Sequence, residues 1–100
     1  MTIQLLSAAE IDLVEGYRFY EKQLPGLGEY FEDCLLSDIE SLLLYAGIHR
    51  QVWGFHRLIS KRFPYAIYYR YSDEIIKVYA VLDCRRDPKA NLHRLRGESS

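Results

Sequence analysis

The 100-residue chain is 49% hydrophobic and 27% charged, a balance that builds one packed domain and excludes a disordered tail or a fibre. No apolar run reaches membrane-spanning length, and residues 1–6 lack the apolar core and cleavage site of a signal peptide. A cytoplasmic protein with no membrane partner is therefore expected. The net charge of −1 conceals an asymmetry: residues 1–45 carry nine acids and two bases, residues 46–100 eleven bases and five acids. The chain reads as an acidic layer and a basic layer, and the basic half suits a partner of opposite sign.

Residues 2–6 form a short apolar-leaning strand. Ser7-Ala8-Ala9-Glu10 has the spacing of a capping box, and the helix behind it carries Leu13, Tyr17, Tyr20 and Leu24 as one stripe. Pro25-Gly26-Leu27-Gly28 breaks that helix. A second helix over residues 29–45 has Phe31, Leu35, Ile39, Leu42 and Ala46 on its apolar side, with acids in its first turn and Gly47 as its cap. The two make a helical hairpin that needs a sheet to cover.

Strands are predicted over residues 52–59, with an irregularity at Gly54, then 65–71 and 75–82, the last two joined as a hairpin by Ser72-Asp73-Glu74. Strict alternation puts Tyr65, Ile67 and Tyr69, with Val78, Ala80 and Leu82, against the helices. Residues 88–96 read as a short basic helix and 97–100 as a frayed end. The expected fold is α+β, a β-α-α-β-β-β arrangement in a single domain over residues 1–100. A helical hairpin packs on a small, mainly antiparallel sheet.

That alternation leaves Tyr68, Arg70, Lys77 and Tyr79 on the face away from the helices, with Arg57 joining them if Gly54 sets its strand in register. Arg85 and Arg86 stand where the last strand ends. Cations interleaved with aromatic rings can hold phosphates and stack bases, and the same residue types also serve as ordinary cover for a sheet face. Asp87-Pro88 reads as a turn in which Asp87 bonds its own following backbone or pairs with one of the arginines. His56 beside Arg57 is a candidate base that more simply packs in its strand. Cys34 and Cys84 read as two small buried hydrophobes, and the scattered His49, His56 and His93 make no metal set. No nucleophile signature and no phosphate-binding glycine loop occurs, so neither cofactor nor metal is expected and the chain is not an evident enzyme.

Phe63-Pro64-Tyr65-Ala66-Ile67-Tyr68-Tyr69 and Ala80-Val81-Leu82, followed by Arg85-Arg86-Asp87-Pro88, resemble at this separation the RelE/ParE superfamily of bacterial toxins, and within it the ParE-like branch. The resemblance runs from the first helix to Pro88. It implies the toxin of a type II toxin–antitoxin pair, neutralised by a cognate antitoxin whose disordered segment wraps the fold. ParE-like toxins block DNA gyrase, and the resemblance then makes Arg57, Tyr68, Arg70, Lys77, Tyr79, Arg85 and Arg86 the target-binding residues. The alternatives are a RelE-like endonuclease that cuts mRNA on the ribosome, for which Arg57, Arg85 and Arg86 would serve catalysis, and an orphan module that binds only its antitoxin. Ala66 stands where RelE-like toxins place an arginine, and no tyrosine follows Tyr79. Asp83 replaces a histidine frequent in the family, so a function tied to that histidine does not transfer. The oligomeric state is left open.

Overall fold

The structure, a computed structural model, describes residues 1–98. Strand β1 (Thr2–Leu5) leads into helices α1 (Ser7–Gln23), α2 (Leu27–Glu40) and the one-turn α3 (Leu42–Tyr45). Strands β2 (Gln51–Val52), β3 (Phe55–Ile59), β4 (Tyr65–Ser72) and β5 (Ile75–Asp83) follow, and α4 (Pro88–Glu98) comes last. They form one sheet in the order β1-β5-β4-β3-β2, antiparallel except for the parallel β1–β5 pair at one edge. The α+β class and the anticipated order hold, including the closing helix expected over residues 88–96, with one extra strand and the expected second helix divided into α2 and α3. Gly97 and Glu98 belong to α4 rather than to a frayed end, and positions 99 and 100 of that expectation lie outside the described residues.

Burial of the helical stripes positions everything else. Leu13 and Tyr20 of α1 and Phe31, Leu35 and Ile39 of α2 pack on Tyr65, Ile67, Tyr69, Ile76, Val78 and Val81 of the sheet. The aromatic rings interlock, with Phe31 edge-on to Tyr65 at 4.9 Å and to Phe63 at 5.1 Å. Leu24, assigned to the stripe, is 59% exposed. It precedes Pro25, whose ring pushes it out of the helix into an extended conformation (φ −160°, ψ 125°). Buried Ala9, Asp12 and Gly16 complete the face instead.

The capping box does not form. Leu6 occupies the cap position, held extended by its N–H bond to the Val78 carbonyl at 3.1 Å. Its own carbonyl accepts from Ala9 and Glu10, so Ser7 is already helical and cannot cap. The predicted 52–59 strand is a hairpin of β2 and β3. Trp53 (φ 54°) and Gly54 (φ 83°) are its two-residue turn, whose doubly positive φ matches the strand twist.

A β-bulge overturns part of the face assignment. Tyr68 pairs with Ala80 but Tyr69 with Val78, which leaves Tyr79 as an extra residue in β5. Val78 therefore faces the helices while Ala80 and Leu82 face the other side. There they join Phe55, Ala66, Tyr68 and Leu95 of α4 in a second small core. The face expected to be open is thus half covered by α4. Of the two cysteines, both free, Cys34 is half-buried but Cys84 is exposed, so the expectation of two buried thiols fails at Cys84.

Candidate functional site

Arg57, Tyr68, Arg70, Lys77 and Tyr79 lie on the sheet face away from α1 and α2, as the alternation predicted, and with Arg85 and Arg86 the seven residues fall in three places. The first is the end of β5. Asp83 turns its carboxylate onto Arg85, accepting from the backbone N–H at 2.8 Å, from Nε at 3.0 Å and from Nη2 at 2.8 Å. Arg85 also donates to the Tyr20 hydroxyl at 3.4 Å. These bonds hold the Asp83 carboxyl below its usual range and push the Arg85 guanidinium up. Asp87 pairs with neither arginine. Its Oδ1 accepts the Lys89 N–H at 2.9 Å and its carbonyl the Ala90 and Asn91 N–H groups, which makes it the N-cap of α4 with Pro88 in the first turn.

Arg86 is exposed and forms no ion pair among the described residues, so of the arginine pair it is the available cation. It lines a cleft of about 160 Å³ with Asp12, Glu15, Phe19, Tyr65 and Asp83. In that cleft burial, then the charge of Asp83, pushes the Tyr65 phenol up to about 12. Tyr65 is a neutral hydrogen-bond donor there, not a base.

The second place is the middle of the covered face. Arg57 lies opposite Tyr68 in register, with its positive charge acting on the Tyr68 hydroxyl. Burial raises the Tyr68 phenol, and Arg57 opposes that shift. Trp53 stacks on the same ring, 6.3 Å between centroids and 16° between planes. The Cys84 thiol is likewise pushed up by burial, with Arg57 only partly offsetting it. Arg57 therefore stands between a neutral phenol and a neutral thiol, with no group poised to take a proton. His56 turns to the helical side, where its Nδ1 bonds the His49 carbonyl at 2.9 Å and its ring stacks on Tyr69.

The third place is the far end of the sheet. Arg70 donates Nε–H to the Gly54 carbonyl at 3.0 Å, and its guanidinium lies 4.0 Å from the Phe55 ring centroid and 5.4 Å from that of Tyr79. Arg70 thus clamps the β2–β3 turn, and exposed Lys77 stands beside it across the strands.

Three features escaped sequence reading. Asp12 and Arg94 pair across the fold, and the signal for Asp12 was its place at helical spacing between Ala9 and Gly16. Trp53 joins the Tyr68 ring through a turn that reads from sequence as a strand irregularity. Lys61 and Arg62 edge a groove of about 500 Å³ along α2, on a loop pinned by the buried Ser60 hydroxyl donating to Asp38 at 2.7 Å. Among the described residues no cluster of His, Cys, Asp and Glu could hold a metal ion, and no helix is long and apolar enough to cross a membrane.

No protein-family model and no curated protein matches the chain. Among solved structures it is similar to a chain described as "Chromosomal ParDE TA system from P. aeruginosa". The TM-score is 0.72 at 20% identity, over 81% of this chain and 92% of that one. At that identity the likeness is one of fold, and the fold is the one the sequence resemblance implied.

Proposed function

We propose that this protein is the toxin of a type II toxin–antitoxin pair, of the ParE-like branch, and that it arrests growth by a protein–protein contact with DNA gyrase. The observation that carries the reading is the shared fold with the ParDE chain, nearly all of whose length is matched. A cognate antitoxin is the first partner, and the basic half of the chain suits an acidic segment of it. The target contact is assigned to the end of β5, where Arg86 is exposed and unpaired while Arg85 is occupied by Asp83.

The geometry favours binding over RNA cleavage. Helix α4 covers half of the sheet face, Ala66 is fully buried beneath it, and Arg57 and Arg70 are engaged by Tyr68 and Gly54. Cleavage needs a base for the 2′-hydroxyl, and the residues around Arg57 supply none. The test is induced expression with and without the neighbouring small gene, followed by supercoiling assays with pure protein. Growth arrest relieved by the neighbour, with gyrase inhibited and ribosome-bound mRNA intact, is the expected result. Specific mRNA cuts by the pure protein would replace this reading with the nuclease, and normal growth under strong soluble expression would remove both.

A further inference from the structure

The α3–β2 connection, residues 46–50, is held to the sheet by the Tyr69 phenol at Gly47 and His49, and by the Arg57 N–H on the Arg50 carbonyl at 2.9 Å. Tyr69 is fully buried, and its oxygen accepts the Gly47 N–H at 3.0 Å. The phenol's own proton then has one neighbour to go to, His49 Nδ1. His56 closes the arrangement from β3. Its Nδ1 donates to the His49 carbonyl, and its ring stacks on Tyr69 (5.2 Å, 23°) and lies 5.7 Å from Tyr71. Gly47 sits at φ +94° with Tyr71 against it, which leaves the connection little room to shift while the bonds hold.

We propose that this connection is a proton-operated clasp: neutral His49 locks residues 46–50 onto Tyr69, and proton uptake by His49 releases them. The chemistry is one of direction. A protonated Nδ1 can no longer accept, so the proton of the fully buried Tyr69 phenol loses its acceptor and faces a second donor. The groups facing His49 are His56, Tyr69 and, behind them, Tyr71. None of these groups is a carboxylate that could offset a charge on His49. Burial first, and His56 second, hold the His49 pKa below its ordinary value. Neutral His49 therefore stabilises the clasp fully above about pH 6.5, and that contribution is lost as pH falls through the lowered pKa. Release would loosen the chain behind α3, whose Leu43, Leu44 and Tyr45 are already exposed while Leu42 stays in the core.

The test is amide hydrogen exchange of the whole chain from pH 7.5 to 5, corrected for intrinsic exchange, beside NMR titration of the imidazoles. Gly47 protection should fall about tenfold per pH unit between about pH 6.5 and the lowered pKa of His49 in the closed clasp, the slope for one linked proton, while Ile67 and Val78 stay protected. His49→Gln should abolish that slope, and Tyr69→Phe should leave Gly47 unprotected at every pH. If Tyr69→Phe does not fold, His49→Gln decides alone, because His49 is only partly buried. A flat Gly47 profile, an equal loss at Ile67 and Val78, or a wild-type slope in His49→Gln would overturn the clasp.

Discussion

Arg94 of the last helix grips Asp12 of the first through two hydrogen bonds of 2.7 and 2.8 Å, 82 residues away along the chain. The second Asp12 oxygen also accepts the Val81 N–H at 2.9 Å. The parallel ladder with β1 reaches only to Val78, so beyond it the edge of β5 needs another acceptor, and Asp12 is that acceptor. One buried carboxylate thus satisfies a sheet edge and ties the layers on its two faces together.

Arg94→Ala should cost about 3 kcal/mol in urea unfolding at pH 7. That is the low end for a broken buried pair, because Arg94 keeps 26% of its side chain exposed. Burial pushes the Asp12 carboxyl up even against Arg94 and Val81. A raised carboxyl favours folding below its unfolded value of 3.8, and that benefit disappears as pH rises through the folded value. Without Arg94 the upward shift grows, so the deficit of the variant should shrink as pH is lowered from 7 towards 4. A deficit independent of pH would place the cost in lost packing instead.

Arg85→Ala/Arg86→Ala should reduce toxicity with the fold retained. Stability should change by less than about 0.5 kcal/mol for Arg86, which is exposed and unpaired. Arg86→Ala alone should account for most of the loss, since Arg85 is occupied by Asp83. Lys22→Ala, on the acidic helical layer, is the matched control. Growth assays at equal expression, with circular dichroism alongside, separate lost binding from lost fold; full toxicity of the double variant moves the working surface elsewhere.

Trp53 holds a positive φ, a conformation costly for a bulky residue, while 40% exposed. Strain kept at an exposed aromatic suggests use of the ring. Trp53→Asn fits the turn better and should leave stability unchanged within about 1 kcal/mol despite the lost stack on Tyr68, while weakening target inhibition. Unchanged inhibition would reduce Trp53 to a lid on Tyr68.

Gly47 and Gly26 have nearly the same backbone, φ +94° and +92°, in different surroundings. A Cβ at Gly26 meets nothing, so Gly26→Ala should cost only the left-handed strain, about 1 kcal/mol. At Gly47 the Cβ would strike the Tyr71 ring and hydroxyl, and Gly47→Ala should cost at least about 1 kcal/mol more. Comparing the two by thermal unfolding checks the packing around the His49 connection, and equal costs would show that Tyr71 yields freely.

Local chemistry was enough for the elements whose signal lies within a few residues. The Phe31, Leu35, Ile39 and Leu42 stripe, the break at Pro25, the β4–β5 hairpin and the Asp87 bond to its own following backbone were all legible in sequence, because helical period, ring constraint and turn conformation act over short spans. What lay beyond reach were choices made between distant segments. The bulge at Tyr79 exists because Tyr68 and Tyr69 pair with residues two apart, and it sends Ala80 and Leu82 to a second core that only α4 can cover. Asp83 neutralises Arg85 in an exposed contact two residues away, whereas Asp12 waits for Arg94 because burial made that bond the satisfying one. The sequence determined which residues could be buried or charged; the tertiary structure decided which charges were left free, since a buried polar group must find its partner wherever the packed chain brings one.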